Sequence, residues 1–188
     1  MKDLVLVGVQ GSGKGTQAKF LTQWMGFQIF EMGGALRKVA KENSDLGRQV
    51  KEIINRGDLV PTEIVMKIVT DFIENKADHS KPIIWDGIPR SEDQREIFRE
   101  TLNQENRDFW VIHLMISDEL ALERLLKRAE IENRSDDKPK VIQKRIAAFH
   151  RHTKPLLEKW KEEDRLIEIN GEGSPEEVDH RIREALNR

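Results

Sequence analysis

Short apolar runs recur along this chain, separated by longer stretches in which apolar residues return every three or four positions. The runs at 4–7, 27–30, 83–85, 110–115 and 166–169 read as strands. Because they are continuously apolar rather than alternating, they suit strands buried on both faces, as in a parallel sheet covered by helices. Strand and helix patterns in alternation predict an α/β domain.

The helices are better marked than the strands. Ile64, Val65, Ile68, Val69, Phe72 and Ile73 form an apolar stripe at helical spacing, and Pro61 suits the start of that helix. Ser117 can cap a helix whose first turn carries Asp118 and Glu119, favourable at the positive end of the dipole. Leu122, Leu125 and Leu126 then supply its buried face. Ser174-Pro175-Glu176-Glu177 is a capping box with proline at the first helical position, followed by Val178, Ile182, Ala185 and Leu186 on one face.

Two stretches fit the sheet poorly. Residues 31–60 give two helices with no strand between them, ending at Arg56-Gly57. Residues 127–138 are almost wholly polar, with Glu132-Asn133-Arg134-Ser135-Asp136-Asp137 at their centre. Both read as excursions from the core, where function often sits. A solvated surface turn is the plainer reading of the second.

Bulk composition narrows the classes. The 188 residues suit one compact domain, 37% hydrophobic and 35% charged, with a formal net charge of -2. That balance argues against a nucleic-acid or membrane-surface partner, so any positive site must be local. No cysteine is present, which removes disulfides and cysteine-ligated zinc and fits a reducing, cytoplasmic setting. The first apolar run is too short for a signal peptide, and no run approaches the roughly 20 apolar residues of a membrane span.

The sharpest chemical signal is Gly8-Val9-Gln10-Gly11-Ser12-Gly13-Lys14-Gly15-Thr16, which follows the first strand and opens the first helix. Glycines there let amide N–H groups turn inward around an anion, the helix start adds its dipole, and Lys14 adds a full charge. Serine or threonine usually follows the lysine to ligate Mg²⁺, but Gly15 holds that place and Thr16 comes one later. The metal would then lean on phosphate oxygens, water and a carboxylate elsewhere.

With Gln17 at its end, this loop resembles the phosphate loop of adenylate kinases, and further matches follow in order down nearly the whole chain. Asp86-Gly87-Ile88-Pro89-Arg90 resembles the family's Asp-Gly-Phe-Pro-Arg, with Gln94 at the family's glutamine position. Arg124 and Arg128 resemble the arginines before the lid, and Arg134-Ser135-Asp136-Asp137 with Arg145 those after it. Arg37 matches the arginine after the family's Thr-Gly-Asp, and Gly57-Asp58-Leu59-Val60-Pro61 resembles the segment closing the acceptor site. The resemblance implies a P-loop NTPase fold with a five-stranded parallel sheet, a helical acceptor-binding insertion at 31–61 and a short lid at 127–137 without structural zinc. It implies a monomeric kinase that passes the terminal phosphoryl group of ATP to AMP with Mg²⁺.

Phosphoryl transfer between two polyanions depends on positioning and fixed positive charge more than on a covalent nucleophile. Arginine suits this, since its planar fork grips phosphate in two places and stays charged. The resemblance places Lys14, Arg37, Arg90, Arg128, Arg134 and Arg145 around the phosphates. It assigns the donor to Gly11, Ser12, Gly13, Lys14, Gly15, Thr16, Arg124, Arg128 and Gly173. For the acceptor it implies Met32, Arg37, Asp58, Leu59, Val60, Gly87, Ile88, Pro89, Arg90, Gln94, Arg134 and Arg145. Asp86 ends an apolar strand, where a carboxylate points into the ligand crevice of a parallel sheet, and would hold Mg²⁺ through water. Asp136 and Asp137 would latch a closed lid or simply be solvated.

The acceptor segment departs from the family pattern. Thr-Gly-Asp is here Met32-Gly33-Gly34, losing a hydroxyl and a carboxylate, and Ile88 replaces phenylalanine. Met32 would give an apolar wall where threonine would hydrogen-bond. A kinase for another monophosphate (UMP, CMP or a deoxy form) and a catalytically weak nucleotide-binding protein are therefore the alternatives. His113, in a strand, and His150 and His152, on a polar helix, read as structural or solvated.

Overall fold

A computed structural model of the chain describes residues 2–132 and 138–187. Among these the strands are β1 Asp3–Val7, β2 Gln28–Glu31, β3 Ile83–Asp86, β4 Phe109–Met115 and β5 Leu166–Asn170. They form one parallel sheet in the order β2-β3-β1-β4-β5. The predicted five-stranded α/β fold is the observed one.

The strand boundaries differ from the predicted runs mostly at polar residues, and β4 also begins one residue early, at Phe109. Glu31, Asp86 and Asn170 extend the carboxyl ends of β2, β3 and β5, and Asp3 extends the amino end of β1. Phe27 is not in β2. It follows Gly26, the left-handed C-cap of helix α1 (Lys14–Met25), and is buried among the helices before the strand pairs at Gln28↔Ile83.

Successive strand residues point to opposite faces and build two cores. Leu4, Leu6, Ile84, Ile112, Leu114 and Ile169 pack with Ala18 and Leu21 of α1 and with Val178 and Ile182 of helix α9 (Pro175–Leu186). Val5, Val7, Ile83, Trp85 and Val111 face the other way, towards the remaining helices. That side holds α4 (Thr62–Asn75), where Val65, Val69 and Ile73 are the buried part of the predicted stripe and Met66, outside it, is buried as well. It also holds α5 (Glu92–Gln104) and α8 (Lys154–Glu162). Phe30, Phe72, Trp85, Phe98 and Phe109 form a chain of tilted and edge-on ring contacts there, each pair adding about 0.5–1.5 kcal/mol beyond its buried area.

The amino edge of the sheet is closed by a buried carboxylate. Asp3 accepts from the Ile83 amide and from Trp85 Nε1, each at 2.9 Å, and from Arg107 Nε at 2.9 Å and Nη2 at 2.8 Å. With every neighbour donating, the cost of burying that charge is offset.

The carboxyl edge is where the chain makes its excursions. Helices α2 (Met32–Val39) and α3 (Asp45–Arg56) follow β2 with no strand between them, and α3 ends at Gly57 in the left-handed conformation. Helix α6 (Asp118–Glu132) starts after Ser117, whose Oγ accepts from the Leu120 amide at 3.3 Å. Helix α7 (Pro139–Ala148) runs into a π-helical turn, Phe149–Thr153, before α8. The Ser174–Glu177 capping box is present at α9. No helix among the described residues is long and apolar enough to cross a membrane.

Candidate functional site

The loop between β1 and α1 closes around its own lysine. Lys14 Nζ donates to the Gly8 carbonyl at 2.8 Å, the Val9 carbonyl at 3.1 Å and Ser12 Oγ at 3.4 Å. Gly11 needs to be glycine twice over: its φ is +88°, and a Cβ there would lie 2.8 Å from the Ala121 carbonyl of α6. Helix α1 starts from Gly13 with no side-chain cap and no acidic residue in its first turn. Its first amides and its dipole are therefore open to an anion, unlike α9, whose start is sealed by its capping box.

Beside this loop opens a cleft lined by Lys14, Arg37, Arg90, Arg124, Arg128 and Arg145 together. They come from α1, α2, the β3–α5 connection, α6 and α7, so the fold gathers side chains spread over 132 positions of sequence, from Lys14 to Arg145. Gly11, Ser12, Gly13, Gly15, Thr16 and Gly173 line the same cleft. Arg124 lies against the segment after β5, with long contacts of 3.4 Å to the Gly171 carbonyl. Arg134, Asp136 and Asp137 fall outside the described residues.

The charges are crowded. Burial lowers Lys14 to about 8 against the pull of Asp86, and Arg90, Arg145 and Arg128 push it the same way. Burial also lowers Arg90 to about 10, with Arg145 as the next cause. Two carboxylates face these cations, Glu31 and Asp86, paired in register at the carboxyl ends of β2 and β3. Burial raises the Asp86 pKa, while Lys14 and Arg90 pull it down.

Asp86 Oδ2 lies 3.7 Å from where a Cβ on Gly15 would sit. No group of three or more His, Asp or Glu side chains among the described residues is arranged to hold a metal. This donor set fits a Mg²⁺ ion carried mainly by its ligand's own oxygens, with Asp86 as the carboxylate at hand.

A second pocket continues from the cleft under α2 and α3. Met32, Arg37, Asp58, Leu59, Val60, Gly87, Arg90, Gln94 and Arg145, nine of the residues named above for an acceptor, line it. Met32 is buried and contributes an apolar side chain to the lining. Ile88 and Pro89 do not line this pocket; they border a smaller cavity behind Lys14. Asp58 is turned to the rim, bonded to Arg56 Nε at 3.1 Å and Lys144 Nζ at 2.5 Å, which ties the end of α3 to α7.

Arg90 is held on all sides of its backbone and side chain. Its Nε donates to the Gly87 carbonyl at 2.8 Å, its amide donates to Gln94 Oε1 at 2.9 Å, and its carbonyl accepts from Thr153 Oγ1 at 2.8 Å. Gly87 has φ +84°, and a Cβ there would lie 2.8 Å from Arg90 Nη2.

Glu31, Phe149 and Thr153 line the site without any signal in the sequence analysis, and Gln10, part of the phosphate loop, lines it without a role assigned there. Phe149 and Thr153 follow Arg145 at four-residue steps, a spacing that puts them on one helical face and could have been noticed. Gln10 and Arg90 border the cleft, the second pocket and the small cavity alike, and Gln10 Oε1 is buried without a hydrogen-bond partner among the described residues.

Comparison with known proteins agrees with this geometry. The family model described as adenylate kinase matches residues 6–165. A protein named adenylate kinase from Parabacteroides distasonis is 34% identical over 188 residues, covering 100% of this chain and 98% of its own. One of that name from Thermus thermophilus is 33% identical over 184 residues, covering 97% and 96%. Another from a Cyanothece strain is 34% identical over 188 residues, covering 100% and 96%. With a full-length match of this kind laid over a phosphate loop and its converging cations, the chain belongs to the adenylate kinase family.

Proposed function

We propose that this protein transfers the terminal phosphoryl group of ATP to AMP, reversibly, giving two ADP. The observation that carries the reading is the single cleft in which Lys14 and five arginines meet between a loop built for phosphates and a second pocket. The donor lies along residues 8–16, with its outer phosphates at Lys14 and Arg128 and its nucleoside towards Arg124 and Gly173. The acceptor lies under α2 and α3, the insertion at 31–61, with its phosphate between Arg37 and Arg90. Arg145, which acts electrostatically on both Lys14 and Arg90, sits where the two phosphates approach.

Transfer then needs little beyond alignment. The guanidinium groups offset repulsion between the two anions and meet the charge that spreads over the transferring oxygens, an effect worth about 10³–10⁵ in rate for an arginine so placed. Asp86 would help to hold Mg²⁺ beside the phosphates, where the ion would supply further charge neutralisation. Residues 127–137, carrying Arg128 and Arg134, act as a short lid that excludes water from the transfer. The protein works as a cytoplasmic monomer on free nucleotides.

Base selectivity follows from Gln94. A backbone N–H can only donate, so the Gln94 oxygen must face the Arg90 amide, and the NH₂ group is left for the pocket. That donor suits the ring nitrogen of adenine and opposes the N–H of guanine. Offered AMP, GMP, CMP, UMP and their deoxy forms with Mg-ATP, the enzyme should prefer AMP, using GMP about a hundredfold less well because donor meets donor. Equal use of GMP, or preference for a pyrimidine, would overturn the assignment.

Donor binding should also take up a proton. Near pH 8 the Lys14 amine is only partly charged in the empty cleft, and phosphates brought beside it favour its charged form. Calorimetry of ATP binding in two buffers of different ionisation enthalpy should show net uptake near pH 8. The Lys14 contribution fades by about pH 6, where the amine is charged in both states. Lys14→Met should abolish it.

A further inference from the structure

The acceptor side of the cleft contains a carboxylate that the phosphate chemistry does not require. Glu31 ends β2, and its Oε1 accepts from Arg37 Nη2 at 2.9 Å. Its side chain is 53% exposed, so the pair is not a core feature left over from folding.

What makes the pair specific is the space around it. A Cβ on Gly34 would lie 3.3 Å from Glu31 Oε2 and 3.5 Å from its Cδ. A Cβ on Gly33 would lie 3.1 Å from Arg37 Nη1 and 3.6 Å from Glu31 Oε1. The two glycines thus leave room in which the carboxylate and guanidinium lie together, and the Glu31 carboxylate fills the volume next to position 34. The Glu31 carboxylate therefore lies against position 34, where the sequence itself carries none.

We propose that Glu31 is a positioning residue for Arg37, holding its guanidinium in the acceptor half of the cleft before the acceptor phosphate arrives. This rests on the reading of the second pocket as an AMP site. The contact with Glu31 uses one Nη2 hydrogen of a group that carries five, so the same guanidinium can keep Glu31 and still fork onto a phosphate. Arginine loses much rotamer freedom when it is fixed, and a carboxylate that has already fixed it removes that cost from the binding step.

Positioning and bulk electrostatics have opposite signs at Glu31. Deleting a negative charge from a cleft of cations would by itself tighten every nucleotide. Loss of a positioning contact instead weakens the acceptor alone. Calorimetric titration of the full chain with AMP and, separately, with ATP reads both. Glu31→Gln should weaken AMP about three- to tenfold and leave ATP within about twofold. In an Arg37→Ala background the same change should add nothing. Glu31→Ala with Gly34→Asp, which puts a carboxylate back beside Arg37 from the other position, should recover AMP affinity to within about threefold of the parent. Tighter or unchanged AMP binding in Glu31→Gln, an equal loss without Arg37, or no recovery in the double variant would each overturn the proposal. Wild-type protein that fails to bind AMP would instead refute the reading of the pocket, so the two failures are distinct.

Discussion

Lys14→Met is expected to reduce turnover with ATP and AMP by about a hundredfold or more, with the fold retained. Methionine matches the length of lysine but removes the one ammonium enclosed by the loop, bonded to the carbonyls of Gly8 and Val9. When phosphates enter, that ammonium turns from loop acceptors to the anion, and no neighbouring arginine can take its place inside the loop. Two effects on stability oppose each other. The variant leaves those carbonyls without the amine, yet it removes a buried charge whose desolvation is the leading cause of its lowered pKa. The melting temperature should therefore shift by no more than about 5 °C. Near-normal turnover in the variant would remove Lys14 from the mechanism.

Arg90→Ala should have a comparable effect, about a hundredfold or more in kcat/KM for the acceptor. Arg90 borders both the cleft and the second pocket, and its orientation is set by the Gly87 carbonyl, with Gln94 and Thr153 fixing its backbone. The site is built to deliver a guanidinium at one place, so a charge without the fork is a poor substitute. Arg90→Lys should recover only a small part of the loss. Because the backbone bonds to Gln94 and Thr153 do not involve the side chain, both variants should keep the wild-type circular dichroism spectrum. An Arg90→Ala enzyme with normal acceptor kcat/KM would contradict its placement.

The chemistry of this chain was easier to read from sequence than its boundaries, for a physical reason. Runs of apolar residues locate the buried middle of each strand, but parallel strands reach their ligand crevice at the carboxyl end, where side chains must be polar. Hydrophobicity therefore stops one residue short at Glu31, Asp86 and Asn170. Asp86 could still be recognised because Gly87 and Arg90 follow it. Glu31 could not, since its importance comes from an arginine six positions later and from two glycines whose missing side chains make the space.

The arginines were legible as a set, and the fold brings Arg37, Arg90, Arg124, Arg128 and Arg145 to one cleft. Ile88 and Pro89 stand inside the segment that resembles the family's acceptor motif. The chain there turns Gly87 and Arg90 to the pocket and the intervening two residues to the cavity behind Lys14. Phe149 and Thr153 share a helical face with Arg145 by spacing, but neither carries a charge that marks it as a site residue, and only the fold, through a π-helical turn, shows both in the wall of the second pocket.

Transfer requires two nucleotides to meet at one set of cations, and phosphorus NMR follows that event directly. With Mg²⁺, ATP and AMP, the signals of ATP and AMP should fall in equal amounts while ADP rises by twice as much, and ADP alone should return to the same mixture. Loss of ATP with AMP untouched and inorganic phosphate accumulating, or no change at all with folded protein, would contradict it.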